Sequence, residues 1–176
     1  MNIRLIMIIV SYVLFAAILI SIPFRKKFSL KKAGNLNYKI TGPSSIYFAG
    51  IYIISLAVIS IMWIRNFGDI MNFILCGCGI LACELVTRSF SLKNVYGLYE
   101  NGLIYDGVYI SYDDIIAFPV LILPEEEQKN YDSRTLVLIT KSKGQKSFTL
   151  ISEEEYATVI GKIFEIKPSL KQLIEK

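Results

Sequence analysis

Glu84 is the residue of this sequence with the clearest potential for chemistry, because it lies inside the apolar run of residues 70–87. An ionisable side chain within a membrane-length segment commonly serves an ion or proton path. Arg88 follows it by one helical turn, at the spacing of an i,i+4 ion pair. Glu84 and Arg88 are therefore a candidate pair with two interpretations: a structural ion pair at a membrane interface, which we favour, and a proton or ion relay.

The same run contains the cysteines Cys76, Cys78 and Cys83, interleaved with glycines. They could provide a thiol or metal site, or a point of lipid attachment. Alternatively, they could allow close helix packing, because small residues let helix backbones approach one another in lipid. Cys76, Gly79 and Cys83 share one face of a helix, which favours packing. This face also allows a protein partner or a homo-oligomer to form through the third apolar run.

Most catalytic and metal-binding chemistries lack their usual residues here. There is no histidine, which excludes His-dependent triads and the commonest general base. The clustered cysteines match neither a disulfide framework nor a zinc motif, and no glycine-rich phosphate loop or nucleophile elbow is present. The glutamate runs 125–127 and 153–155 lack the alternating ligand spacing of a calcium loop. We therefore predict no catalytic residue, no cofactor and no metal.

Basic residues are concentrated between the first two apolar runs, in a predicted loop over residues 23–45. The positive-inside rule makes this loop a determinant of topology, and it could also bind anionic lipid. Phe24, Phe28 and Leu30, interleaved with the charges, could enter the headgroup layer. Because the modest net positive charge reflects this one basic loop, we predict no nucleic-acid partner. The candidate lipid contacts are Arg25, Lys26, Lys27, Lys31 and Lys32.

Three apolar runs, at about residues 5–22, 46–64 and 70–87, are long enough to cross the hydrocarbon core of a bilayer. They predict a multi-pass cell-membrane protein with three transmembrane helices, whose bilayer is its first partner. Lys and Arg are enriched in the loop between the first two runs and after the third. The positive-inside rule then places the N-terminus outside the cell and the C-terminal part in the cytoplasm.

Beyond residue 93 the pattern changes to short segments rich in Val, Ile, Tyr and Thr, which predict strands. The predicted strands are residues 95–99, 103–106, 108–112, 115–123, 135–141 and 146–151. Asp106-Gly107 predicts a two-residue type I′ hairpin, because both residues tolerate positive φ. Ser152, with Glu155 three positions later, predicts the capping box of an amphipathic helix. The fold class is thus membrane α-helical plus a small α+β domain.

The order of strands and helix resembles a pleckstrin-homology-like (PH-like) partly open β-barrel with a C-terminal helix. The whole layout resembles bacterial three-span inner-membrane proteins with a small PH-like cytoplasmic tail. The resemblance rests on residues 100–104 (ENGLI) and 109–115 (YISYDDI), although such tails often carry Trp at the position of Tyr112. It implies a membrane domain over residues 1–93 and a cytoplasmic PH-like domain over residues 94–176.

The sequence leaves two functional classes in consideration besides an enzyme, which we rank third. The first is a non-enzymatic interaction or regulatory module, in which the spans present the PH-like domain to a protein partner or to the inner leaflet. The alternative is a small transport or pore subunit with Glu84 in the path. An enzyme at this size needs polar residues clustered at the membrane interface, and the apolar runs provide few of them.

Overall fold

The computed structural model describes residues 3–42 and 46–174, apart from the side chains at positions 46, 47, 125 and 173. The chain divides into two compact units. The first unit consists of Met1–Lys27 and Ser44–Ser91, and the second of Phe28–Pro43 and Leu92–Lys176. Most of the predicted basic loop therefore groups with the C-terminal part of the chain.

Three helices carry the apolar runs: α1 (Ile3–Ala33), α2 (Ile46–Ile64) and α3 (Asp69–Leu92). Ile3–Ala33 and Asp69–Val95 are long and apolar enough to cross a membrane, by length and composition, with mean hydropathies of 2.9 and 1.9 in their most apolar windows. Phe48–Ile64 is a shorter apolar helix. Over residues 3–42 and 46–174 the structure is thus helical, with two helices of membrane-spanning length, and has a small sheet region in its second unit.

Helix α1 continues beyond its apolar run, so that residues 23–33 are helical rather than part of the predicted loop. Pro23 lies inside the helix, where it cannot donate a backbone hydrogen bond. Gly34 ends the helix: it has a φ of +84° and donates its N–H to the Leu30 carbonyl at 3.1 Å. Lys and Arg are good helix formers, which explains why the helix persists where the apolar pattern stops.

The first unit has a small buried core and leaves many large apolar side chains on its surface. Its buried core draws on all three helices and consists of Ile8, Phe15, Ile59, Met62, Cys76 and Cys83. Ser11 and Ser55 are also buried, and their hydroxyls donate to the carbonyls of Met7 and Ile51. On the surface, Ile64 is 87% exposed. This amount of exposed apolar surface is unusual for a water-soluble bundle.

The second unit contains two antiparallel sheets. The first has the order β1-β2-β3-β4 and the second the order β5-β6-β7. Across the described residues no strand of one sheet pairs with the other, so no closed barrel forms. The strands are β1 (Leu36–Lys39), β2 (Gly97–Tyr99), β3 (Gly102–Tyr105), β4 (Val108–Ser111), β5 (Ile115–Ala117), β6 (Thr135–Thr140) and β7 (Gly144–Thr149).

Strands β2 to β7 overlap the six predicted segments. Asp106 and Gly107 have φ values of 45° and 71°, which confirms the two-residue hairpin between β3 and β4. Strand β5 is shorter than predicted because Pro119 begins a short helix, α4 (Pro119–Ile122), and proline cannot donate to a sheet. A second short helix, α5 (Glu125–Gln128), follows before β6.

Strand β1 was not predicted, and it comes from the chain segment between α1 and α2. It pairs with β2, where Lys39 lies opposite Gly97. A side chain at Gly97 would place its Cβ 2.5 Å from the Tyr38 carbonyl oxygen, so the close approach of the strands requires glycine there. Ile40 follows β1, is 2% exposed and donates its N–H to the Tyr96 carbonyl at 3.1 Å.

Helix α6 (Glu153–Ile166) packs on the core of the second unit. The Ser152 hydroxyl accepts the Glu155 N–H at 3.1 Å, which is one half of the predicted capping box, whereas the Glu155 carboxylate accepts the N–H of Ile151. Val159 and Ile163 are fully buried in a core to which both sheets contribute. The sheet residues of this core include Leu98, Leu103, Ile104, Ile110, Leu136, Leu138 and Phe148.

Candidate functional site

The predicted pair of Glu84 and Arg88 belongs to a three-residue cluster within the first unit. Arg88 Nε donates to Glu84 Oε1 at 3.1 Å across one turn of α3. Arg25 on α1 makes the closer contact: its two terminal nitrogens donate to the two Glu84 carboxylate oxygens at 2.8 and 2.7 Å. Two parallel hydrogen bonds between a guanidinium and a carboxylate give a strong and directional ion pair. Glu84 is therefore held mainly by Arg25.

Arg25 is also fixed through its third nitrogen. Its Nε donates to the Ser21 hydroxyl at 2.8 Å, and that hydroxyl donates to the Ile18 carbonyl at 2.6 Å. The Arg25 and Glu84 side chains are 33% and 25% exposed, whereas Arg88 is 68% exposed. Arg25 is thus a positioned group that joins α1 to α3. Arg88 is a more loosely held neighbour at the surface.

Both oxygens of Glu84 already accept hydrogen bonds from guanidinium groups. An ion or proton relay needs a carboxylate oxygen that is available to a mobile ion or proton. The cluster combines two permanent positive charges with one negative charge, so it carries a net positive charge next to the carboxylate. This arrangement is suited to joining helices.

A second polar contact joins α2 to α3 within the same unit. The Tyr52 hydroxyl lies 2.9 Å from the hydroxyl of Thr87, which is fully buried. The Tyr52 ring also packs edge-to-face on Phe90, with 6.0 Å between ring centroids. Hydrogen bonds between membrane helices contribute about 0.6 kcal/mol on average, so this contact adds modestly to helix association.

The small-residue face of α3 is occupied by the other helices of the chain. Cys76 is 7% exposed and its Sγ lies 3.6 Å from the Met62 sulfur. A Cβ at Gly79 would lie 2.7 Å from the Ile59 side chain, so α2 and α3 approach closely there. Cys83 is fully buried. Close packing within the chain therefore accounts for this face.

The structure places the candidate lipid contacts Arg25, Lys26, Lys27, Lys31 and Lys32 on α1. Arg25 is committed to Glu84, a role that sequence reasoning missed. In the second unit, the Lys32 ammonium lies over the Phe28 ring, 4.3 Å from its centroid. The Phe28 ring is 61% exposed, whereas Leu30 packs against the core of the second unit. Phe24, at 69% exposure, and Phe28 thus remain exposed as predicted, whereas Leu30 does not.

Several tyrosines of the second unit lie in its core. Tyr96 and Tyr105 stack with 5.0 Å between ring centroids, and both are nearly fully buried. Burial, reinforced by the nearby Asp106 carboxylate, raises the pKa of Tyr96 to about 12. Burial also raises the pKa of Tyr112, whose hydroxyl has no hydrogen-bond partner within the described parts of the chain. These rings stabilise the fold and do not form an exposed stacking surface.

Glu155 connects the C-terminal helix to the segment that follows β1. Its carboxylate accepts the Thr41 backbone N–H at 2.8 Å and the Ile151 backbone N–H at 3.3 Å. A carboxylate at a helix N-terminus is also favoured by the helix dipole. The second glutamate run therefore has a structural role in the second unit.

Within residues 3–42 and 46–174, no three histidine, cysteine, aspartate or glutamate side chains are grouped to hold a metal ion. Two groups of charged residues remain as candidate sites. One is the cluster of Glu84, Arg25 and Arg88 in the first unit. The other is the set of lysines on α1. No family model, no curated protein and no solved structure matches this chain.

Proposed function

We propose that the protein is a three-span membrane protein whose second unit is a cytoplasmic, PH-like, non-enzymatic interaction module. In this proposal α1, α2 and α3 each cross the bilayer. The second unit then lies at the inner leaflet, where it binds a protein partner or the membrane surface itself.

The observation that carries the membrane placement is the apolar surface of the first unit. Ile53, Ile70, Phe73 and Leu85 expose 69%, 81%, 68% and 64% of their surface, and they come from α2 and α3. Contiguous apolar surface of this kind is rare on soluble monomers because it is unfavourable in water. In lipid the same surface is favourable, and the buried serines and the ion pair find their partners inside the unit.

The distribution of charge supports the orientation. Arg25, Lys26 and Lys27 follow the apolar run of α1, and Arg88 and Lys93 follow that of α3. Basic residues near the ends of spans are retained on the cytoplasmic side. The short connection between α2 and α3, which contains Arg65 and Asp69, then lies outside the cell.

Two features of the second unit support a PH-like module. One is the succession of antiparallel strands ending in an amphipathic helix, whose Val159 and Ile163 are buried in the common core. The other is the set of apolar side chains that stay exposed on its surface, where a partner could bind. Among them are Ile116, Ile122 and Tyr131, whose exposed fractions are 46%, 49% and 48%. Exposed apolar and aromatic side chains are frequent anchors of protein interfaces.

The transport or pore alternative has less support. It requires Glu84 to line a path, whereas its carboxylate is hydrogen-bonded to both Arg25 and Arg88. Reconstituted vesicles provide the direct test. We expect no pH-dependent ion flux from the intact protein, and a flux that disappears in Glu84→Gln would favour the pore.

The module itself is tested by purifying the intact protein in polymer-bounded native membrane patches. We expect either a protein recovered at fixed stoichiometry or selective retention of anionic lipid. For a protein partner, Ile116→Ser should release it, whereas the matched substitution Ile53→Ser on the surface assigned to lipid should not. Recovery of the chain with neither a partner nor enriched lipid would contradict the proposal.

A further inference from the structure

The second unit contains a pocket of about 510 Å³ that belongs to none of the clusters described above. Its volume lies within the range of small-molecule sites, which is roughly 300–1,000 Å³. The pocket lies where the segment after β1 meets the segment before β2. The residues that define it are Lys39, Thr41, Gly42, Lys93, Asn94 and Tyr96.

The chemistry of this pocket is that of an anion site. Lys39 and Lys93 provide two ammonium groups, and no carboxylate is among the described residues that line it. The Tyr96 ring forms a wall, with the backbone of Gly42 so close that a Cβ there would lie 2.2 Å from the ring. Lysine binds phosphate as a compact point charge with several donors. A phosphate group therefore fits the pocket better than a cationic or neutral ligand.

The position of the pocket along the chain indicates the source of the phosphate. Lys93 directly follows Leu92, the last residue of α3. Gly42 precedes the first residue of α2 by four Cα–Cα steps, which cover at most about 14 Å. If α2 and α3 cross the membrane as proposed above, chain connectivity keeps Lys93 and Gly42 near the ends of these spans and hence near the headgroup layer. Basic pockets at this depth on the cytoplasmic side bind lipid headgroups.

We propose that the pocket between Lys39 and Lys93 binds the phosphate group of an anionic phospholipid headgroup. This inference rests on the proposed membrane placement of α2 and α3. It assigns selective lipid retention to two lysines outside the set Arg25, Lys26, Lys27, Lys31 and Lys32. Those residues then contribute general attraction to the inner leaflet, and the pocket holds one lipid for longer.

The test uses the intact protein in nanodiscs of phosphatidylcholine and phosphatidylglycerol, with retained lipid measured by native mass spectrometry. Each lysine lost should weaken phosphatidylglycerol retention about fivefold, which corresponds to about 1 kcal/mol. The test variant is the double substitution Lys39→Gln and Lys93→Gln. The control is Lys129→Gln and Lys141→Gln, which removes the same charge from exposed positions outside the pocket.

A second arm separates the two sources of phosphate. Inorganic phosphate is titrated calorimetrically into the protein in nanodiscs of phosphatidylcholine alone. Weak or no heat, together with the loss of phosphatidylglycerol in the test variant, identifies the headgroup as the ligand. Heat that disappears in the test variant supports the phosphate site and identifies free phosphate as a ligand.

Folding is controlled by the double substitution Lys39→Arg and Lys93→Arg, which keeps both charges. This variant should retain phosphatidylglycerol like the parent. The inference is overturned if the glutamine variant retains phosphatidylglycerol like the parent, if it loses no more than the control does, or if the folded arginine variant loses it. Failure of the membrane placement would instead appear in the topology experiment described below, which does not involve these lysines.

Discussion

The guanidinium of Arg25 forms two hydrogen bonds with the Glu84 carboxylate, whereas Arg88 forms one. Arg25→Gln should therefore destabilise the first unit more than Arg88→Gln does. We expect a loss of about 1–2 kcal/mol for Arg25→Gln, because a partly buried carboxylate loses its main partner. Arg88→Gln should cost less than about 1 kcal/mol, as is usual for exposed pairs. Thermal unfolding of the intact protein, with both variants in the same detergent, shows which substitution is the more destabilising.

The double variant Arg25→Glu with Glu84→Arg is the control for charge placement. It should recover part of the stability lost in Arg25→Gln, because the pair is re-formed with reversed charge. If Arg88→Gln proved the more damaging single substitution, the assignment of Arg25 as the main partner would be wrong.

Topology is the prediction that most directly concerns the proposed function. A reporter fused to the C-terminus should report the cytoplasm, because basic residues flank the proposed spans on that side. A reporter inserted in the connection between Ile64 and Asp69 should report the outside of the cell. Cytoplasmic signal from both fusions would show that α2 and α3 do not cross as a pair.

Residues between α1 and α2 should stabilise the C-terminal sheet. Ile40 is 2% exposed in the core of the second unit, so Ile40→Ala should cost about 2–4 kcal/mol. Leu36→Ala is the matched control, because Leu36 lies in the same segment and is 49% exposed. Hydrogen exchange of the β2 amides in the intact protein should rise for Ile40→Ala and change little for Leu36→Ala. Equal protection in both variants would mean that the segment is not docked.

Helix α6 should depend more on Ile163 than on Phe164. Ile163 is fully buried, so Ile163→Ala should cost about 2–5 kcal/mol. Phe164 is only partly buried, although its ring packs edge-to-face on Phe118 with 5.6 Å between centroids. Phe164→Ala should therefore cost less than the 3–5 kcal/mol of a fully buried ring. The two losses of stability are measured from the unfolding of the second unit in the intact protein. A larger loss for Phe164→Ala than for Ile163→Ala would contradict this packing.

Alkaline pH should destabilise the second unit through Tyr96. Its pKa is raised to about 12 in the folded protein, against about 10 for an ordinary tyrosine. The stabilisation is therefore fully present below pH 10 and is lost as the pH rises through 12. Between pH 10 and 12 the slope of the unfolding free energy against pH gives the number of protons lost on unfolding. Tyr96→Phe should lower that number by about one, whereas Tyr131→Phe at an exposed position should not. An unchanged slope would contradict the burial of this hydroxyl.

Local signals explain why most of the second unit could be predicted from the sequence. The hairpin at Asp106-Gly107 and the cap at Ser152 depend on residues that are adjacent or three apart. Strand β1 has no such signal. It has four residues between Gly34 and Ile40, and its partner β2 lies beyond both α2 and α3 in the chain. Pairing at that separation depends on tertiary contacts that periodicity does not report.

The helix-joining cluster was predictable in part, for a similar reason. The i,i+4 spacing of Glu84 and Arg88 is visible in the sequence, but the stronger partner comes from another helix. One signal available in the sequence was the depth in the membrane that each residue would have. Arg25 follows the apolar run of α1, and Glu84 lies near the end of the apolar run of α3, so the proposed three-span topology brings both to the cytoplasmic side. Comparing distances from the membrane boundary would have identified Arg25 as a partner.

The origin of β1 has a consequence for biosynthesis. During translation the strand emerges before α2 and α3, while β2, its partner, is made only after both helices. If α2 and α3 cross the membrane as proposed, the first sheet has to remain incomplete until the translocation machinery has released these two helices. Strand β1, at the edge of this sheet, can pair with β2 only after α2 and α3 have left the ribosome. Pairing of β1 with β2 would thus occur only in chains whose helices α2 and α3 have been inserted. In a chain whose α2 and α3 fail to insert, β1 would stay unpaired and accessible to quality-control proteases.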